Sequence, residues 1–251
     1  MKGKNPTRWF GLISSFLLMA LVTAGWSLET ADHTLYGELL GRHVKNGAVD
    51  YRGLKKKEGE LDQYLDLLDQ TSPDALSRNE QLALYINAYN AYTLKLILDN
   101  HPVASIKDIG GWLKGPWKIR FCRIGGKTLT LDEIEHEIIR PRFKDPRVHF
   151  AVNCASKSCP PLISEPYQES ILDEQLDANT RDFLNDPDEN RLEGDTLYVS
   201  KIFKWFREDF GGDVVGFFLE QARDELKDRL SERRDQIKIR YLDYDWRLNG
   251  R

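Results

Sequence analysis

Two thiols, an imidazole and several hydroxyls fall within a few residues of one another in Arg147 to Leu162, RVHFAVNCASKSCPPL. A cysteine near a histidine can supply a thiolate nucleophile and the base that serves it. Val148, Phe150 and Val152 alternate with His149, Ala151 and Asn153, a period-2 pattern that predicts a strand with His149 and Asn153 on one face. The strand would open into the Cys154 to Cys159 loop, and Pro160-Pro161 forbids helix and ladder pairing beyond it. Cys154 and His149 are five positions apart, roughly 16 Å along an extended strand, so the loop must fold back if the two are to meet.

That geometry supports a thiol-dependent hydrolase or acyl transferase. Cys154 would attack, His149 would act as base and then acid, and Asp245 or one of Asn87 and Asn90 would orient the ring. Backbone amides of the Ala155 to Ser158 loop could bind the oxyanion. A different class of reading stays open beside it: a non-catalytic envelope module in which Cys154 and Cys159 form a structural disulfide and the groove near Asn90 takes a ligand. A dithiol redox role fits less well, because four residues separate the pair where two are usual.

The elements that would position these groups follow from periodicity. Tyr36 to Val44 reads as a helix stopped by Asn46-Gly47, and Leu61, Tyr64, Leu65 and Leu68 mark an amphipathic helix ended by Ser72-Pro73. Asn79 to Asn100 is the longest and most apolar helix, with Gln81, Ala88, Lys95 and Asp99 on its expected wet side. Asn87 and Asn90 point away from that side, so they must clamp loop backbone or orient a catalytic or substrate group. Gly125-Gly126 predicts a hairpin between Trp117 to Cys122 and Lys127 to Leu129. Thr130 and Glu133 form a capping box at the start of a helix that Arg140-Pro141 should end. Helices are also expected near Leu172 to Phe183, Ile202 to Phe210 and Val214 to Leu230. Ile237 to Tyr241 would be a closing strand, running into Asp243 and Asp245 on one face. Together these predict α+β, mostly helical: one domain around a small, largely antiparallel sheet.

Composition narrows the rest. A net charge of −4 gives no reason to expect nucleic acid, and three cysteines exclude a disulfide-dense scaffold. Histidines are few and neither HExxH nor paired CxxC occurs, so neither a metal nor a cofactor is expected. Basic residues, an apolar run from Phe10 to Leu21 and Val22-Thr23-Ala24 have the layout of a secretory signal peptide over residues 1–24. Cleavage would leave residues 25–251 as one exported domain with no membrane span, periplasmic in a Gram-negative source and otherwise secreted. Its partner would be a small-molecule or peptide-like ligand.

Four stretches, NEQLALYINAYNAYTL, LTLDEIEHEIIR, DPRVHFAVNCASKSCPPL and the terminal YDWRLN, resemble in order the family catalogued as domain of unknown function (DUF) 547. Arg247 stands where that family usually has serine. The resemblance implies a whole-domain assignment with characteristic polar positions at Asn87, Asn90, Glu133, His149, Asn153, Cys154, Ser156, Cys159 and Asp245. Of these, Asn87, Asn90, Glu133, Asn153 and Ser156 are candidates for substrate binding. It implies no reaction.

Overall fold

A computed structural model describes Met1, Gly3, residues 31–111 and residues 114–250. The expected signal segment, apart from Met1 and Gly3, and Trp112 lie outside the described residues.

The chain begins with α1 (Thr34–His43), the hairpin β1 (Val44–Lys45) and β2 (Ala48–Val49), then α2 (Tyr51–Lys55), α3 (Glu58–Gln70) and α4 (Arg78–Asp99). Asn46 and Gly47 both have positive φ in the hairpin turn, where Gly47 meets no Cβ penalty. Leu61, Tyr64, Leu65 and Leu68 of α3 are buried, as their spacing requires. Ser77 and Glu80 cap α4 reciprocally and fix its start. The helix is central rather than half-solvated. Ala88, placed on the wet side by its spacing, is fully buried, because neighbouring elements cover α4 on more than one face.

β3 (Cys122–Ile124) and β4 (Lys127–Leu129) form the expected antiparallel hairpin around Gly125-Gly126. Trp117 is not part of it, since Pro116 opens a short 3-10 turn over Pro116–Lys118. Thr130 Oγ1 accepts from Glu133 N at 2.9 Å and Glu133 Oε2 accepts from Thr130 N at 2.8 Å, completing the capping box. The helix that follows widens into a π-helix, Glu133–Ile139, and continues through Pro141 as α5 (Arg140–Phe143).

The predicted strand at Val148 to Val152 is instead a 3-10 helix, Pro146–Phe150. Pro146 has its φ preset for a helical first turn, and Asp145 caps the turn by accepting from Arg147 N at 2.9 Å. Val148, His149 and Phe150 are all buried, so there is no two-faced alternation for a strand to satisfy.

The remainder comprises α6 (Leu172–Leu184), β5 (Arg191–Glu193), β6 (Thr196–Val199), α7 (Ile202–Trp205), α8 (Val214–Gln221), α9 (Asp224–Arg233) and β7 (Lys238–Tyr241). The single helix expected over Val214 to Leu230 is broken at Ala222, whose backbone is extended. β5 pairs antiparallel with β6, but β6 and β7 run parallel, so the small sheets are largely rather than wholly antiparallel. The class is α+β and mostly helical, as predicted. No described helix is long and apolar enough to cross a membrane.

Two hydrophobic clusters organise the molecule. The first gathers α1 to α4 with the hairpins, and the second gathers Phe150, Phe183, Phe203, Phe210, Phe217 and Phe218. The C-terminal segment crosses the molecule as a strap. Asn249 N donates to Ala155 O and Lys157 N to Arg247 O, tying the strap to the cysteine loop.

Candidate active site

The loop that carries Cys154 is built from amide side chains. Asn90 Nδ2 donates to Ala151 O at 2.9 Å and Asn90 Oδ1 accepts from Asn153 N at 2.7 Å. Asn153 Oδ1 accepts from Ala155 N at 2.8 Å while its Nδ2 donates to Pro160 O at 2.8 Å. This turn holds Ala155 at φ 59°, a left-handed conformation costing about 1–2 kcal/mol for a residue with a Cβ. The surrounding bonds therefore fix the loop in a shape it would not adopt alone. Asn87 performs the same service elsewhere, clamping Tyr167 through its carbonyl and N–H at 2.8 and 2.9 Å.

Cys154 is partly exposed, and its sulfur lies 3.0 Å from Ser156 Oγ and 3.2 Å from the Tyr244 hydroxyl. Burial pushes its pKa up, but hydrogen bonds from Cys159, Ser156 and Tyr244, with the Ser156 backbone amide, outweigh that and bring it down to about 7. Cys159 moves the opposite way. Burial and the adjacent Cys154 hold it well above the usual thiol range, so it remains a protonated donor. Burial likewise keeps Tyr244 protonated. All three cysteines are free thiols, so the expected Cys154–Cys159 disulfide is not formed. Cys159 Sγ instead faces Cys154 N at 2.8 Å, and Cys122 is a buried lone thiol.

His149 is buried, with its ring stacked on Phe206 at 3.9 Å between centroids. Its Nε2 lies 2.7 Å from Asp209 Oδ2. Burial is the chief effect on the ring and lowers its pKa, leaving it neutral near pH 7 despite Asp209. With Nε2 assigned as donor to the carboxylate, Nδ1 carries the lone pair, and Nδ1 is buried without a hydrogen-bond partner. Asp209 is held in turn by Arg140, whose Nε and Nη2 donate to its two oxygens at 2.6 and 3.1 Å. The His149 and Arg140 contacts keep its carboxyl well below the usual range. No hydrogen bond joins His149 to Cys154.

Both groups nevertheless line one cleft of about 250 Å³, at the seam between the two hydrophobic clusters. Trp117, Trp205, Trp246 and Phe206 supply apolar walls, and Asp132, Glu135 and His136 reach it from the π-helix region. Widened helical turns often occur at functional sites, where they redirect side chains. Glu135 is buried, which raises its pKa, and Tyr89 is its hydrogen-bond partner. Among the described residues no group of three His, Cys, Asp or Glu side chains stands at metal-binding spacing.

Residues 73–184 match the family described as a protein of unknown function, DUF547. The match supports the resemblance to that family over this stretch. No curated protein and no solved structure matches the chain. The DUF547 segment contains Cys154, Cys159 and His149, whereas Asp209 and Tyr244, which hold the ring and the sulfur, lie outside it.

Several expected positions take other roles. Asp245 does not touch His149; its carboxylate folds back on Arg247 N and the Arg247 guanidinium. The orienting acid is Asp209. Glu133 is occupied by the capping box and by Arg120. Asn87, Asn90 and Asn153 shape backbone, and Ser156 reaches the cleft only through Cys154 and Tyr244. The expected row of free loop amides is also absent, since Ala155, Lys157 and Ser158 donate to Asn153, Arg247 and Asp245. The sequence offered two missed signals: Asp132, Glu135 and His136 recur at i, i+3, i+4, and Asp209 is an acid set among aromatic residues. Neither names its partner.

Proposed function

We propose that this protein is a thiol-dependent hydrolase or acyl transferase, with Cys154 as nucleophile and His149 as base. One observation carries the reading: the sulfur of a half-buried cysteine in an aromatic cleft, held by hydrogen bonds that bring its pKa to about 7. A substantial fraction of Cys154 is then thiolate at neutral pH without an imidazolium beside it.

In the first step Cys154 Sγ attacks the carbonyl carbon of an ester or amide. A C–S bond forms, the bond to the leaving group breaks, and the leaving group departs with a proton from solvent. In the second step water attacks the thioester, His149 Nδ1 takes its proton, and the carboxylic acid leaves as the thiolate is restored. Asp209 fixes the ring tautomer and faces the imidazolium as it forms. The cleft walls are mostly aromatic and apolar, with Asp132 and Glu135 among them, and among the described residues no Lys or Arg side chain lines them. That lining favours an acyl group without negative charge.

The layout of residues 1–24 supports export, to the periplasm in a Gram-negative source, of a domain spanning residues 25–251. The non-catalytic envelope module needs its Cys154–Cys159 bond, and the free thiols favour the enzyme instead.

The test is incubation with 4-nitrophenyl acetate followed by peptide mass mapping. An acetyl group on Cys154, absent in Cys154→Ala, supports the reading. No Cys154-dependent acetylation, together with only one titratable thiol before reduction, overturns it in favour of the clasp.

A further inference from the structure

An acyl transfer at Cys154 must stabilise a developing oxyanion, and the backbone of the loop is poorly placed to do so. Ala155 N donates to Asn153 Oδ1 at 2.8 Å, Lys157 N to Arg247 O at 2.9 Å, Ser158 N to Asp245 O at 3.3 Å and Cys159 N to Ser156 O at 3.1 Å. The N–H of Cys154 itself is turned to Cys159 Sγ at 2.8 Å. The groups directed at the reacting sulfur are different ones: the Tyr244 hydroxyl at 3.2 Å and the Ser156 hydroxyl oxygen at 3.0 Å.

Of the two hydroxyl-bearing residues, only Tyr244 lines the cleft through which an acyl donor would arrive; Ser156 is 1% exposed. Ser156 Oγ lies 3.2 Å from the Tyr244 oxygen and donates to it, which leaves the tyrosine proton free to point at the sulfur. The ring itself is fixed among Trp205 and Trp246, at 4.8 and 4.5 Å between centroids. Here a preorganised O–H donor already rests on the anion of the ground state.

We infer that Tyr244 is a catalytic residue, and that its hydroxyl passes from the Cys154 sulfur to the substrate's carbonyl oxygen as charge moves there during attack. This inference rests on the thiol acyl-transfer reading of the cleft. No new bond is made or broken by the tyrosine: as the C–S bond forms, the negative charge shifts from sulfur to oxygen, and the hydrogen bond follows it. Donors aimed at where charge develops accelerate acyl transfer, and loss of one typically costs roughly 10²–10³-fold in rate.

Tyr244→Phe keeps the packed ring and removes only the donor. Two rate constants are compared on the intact chain: single-turnover acetylation by 4-nitrophenyl acetate, and alkylation by iodoacetamide at a pH where Cys154 is fully ionised. Alkylation develops no oxyanion, so it controls for folding, access and thiol nucleophilicity. The expected result is a loss of roughly 10²–10³-fold in acetylation with alkylation nearly unchanged. Acetylation that falls only in step with alkylation, or not at all, overturns the role of Tyr244 while leaving the thiol enzyme standing. Absence of Cys154-dependent acetylation in the unsubstituted chain overturns both. If the variant fails to fold, the unsubstituted chain gives the same information with the thiono analogue of the ester, whose C=S group is a poorer hydrogen-bond acceptor. Acylation by that analogue at the rate of the oxygen ester contradicts the inference, and a marked loss sustains it.

Discussion

The two hydrophobic clusters treat their polar residues in opposite ways. Around α4 the core is largely aliphatic with embedded tyrosines, and its buried amides are consumed in shaping backbone: Asn87 holds Tyr167 and Asn90 holds Ala151 and Asn153. The C-terminal cluster is aromatic, with Phe203 and Phe210 at 4.8 Å and Phe150 and Phe183 at 5.3 Å between ring centroids. Among its polar neighbours His149 bonds Asp209 and Tyr244 bonds Cys154, and His149 and Tyr244 line the cleft at the seam. One region is a scaffold with every amide engaged, and the other brings reactive groups to that scaffold's edge. A site assembled in this way depends on both regions while its chemistry belongs to their junction.

Breaking the aromatic side should have the largest effect. Phe150→Ala removes a fully buried ring and is expected to destabilise the protein by about 3–5 kcal/mol, read by urea unfolding. A cost below about 1 kcal/mol would mean that the aromatic cluster does not hold the seam.

The two scaffold amides sharpen the comparison. Asn90→Ala leaves two buried backbone groups unpaired and should cost about 1–3 kcal/mol for each group not rescued by water. It should also slow alkylation of Cys154, because the loop loses its anchor. Asn87→Ala is expected to cost a similar amount but to leave Cys154 reactivity unchanged. Equal loss of reactivity in both variants would erase the distinction drawn between them.

Acid should weaken both regions, the seam through His149 and the scaffold through His33, whose pKa burial lowers to about 4. The folded pKa of His149 is depressed, chiefly by burial, so the unfolded chain takes up the proton first. Stability from this group is full above about pH 6.5 and declines as pH falls below it. Asp209 is depressed too, by His149 and Arg140, so its contribution is present above about pH 3.9 and is lost at still lower pH. Melting temperatures should therefore begin to drop below about pH 6.5, and His149→Gln should lessen that first decline while leaving the share that His33 contributes. A melting curve unaffected by pH down to about 5 would count against the neutral buried ring.

The smallest effect is expected at Asp245. Its carboxylate is paired with Arg247 near the surface, so Asp245→Asn should leave the decline that begins below about pH 6.5 and Cys154 alkylation as they were.

Much of the scaffold was legible because it rests on local rules. The apolar run of α4, the Thr130–Glu133 cap and the Gly125-Gly126 turn are each determined by residues a few positions apart. The strand predicted at His149 failed for a local reason as well: the proline turn at Pro146 outweighed a two-fold alternation that burial on every side had made meaningless. The site was legible only by half. Cys154 and His149 stand out by type, but their partners Tyr244 and Asp209 are 90 and 60 positions away. Nothing in residue spacing pairs a hydroxyl or carboxylate with a target so distant. Asp245, chosen as the orienting acid for its place beside a strand, turned to the nearest guanidinium instead.

The central claim is that Cys154 is a preformed nucleophile, and the pH dependence of its alkylation tests that most directly. Iodoacetamide labelling of the intact chain, resolved by cysteine with peptide mass mapping, should give a rate for Cys154 that reaches half its maximum near pH 7, with Cys159 and Cys122 unreactive over the same range. A midpoint at or above about 8.5, the value of an ordinary thiol, or labelling of Cys159 ahead of Cys154, would contradict it.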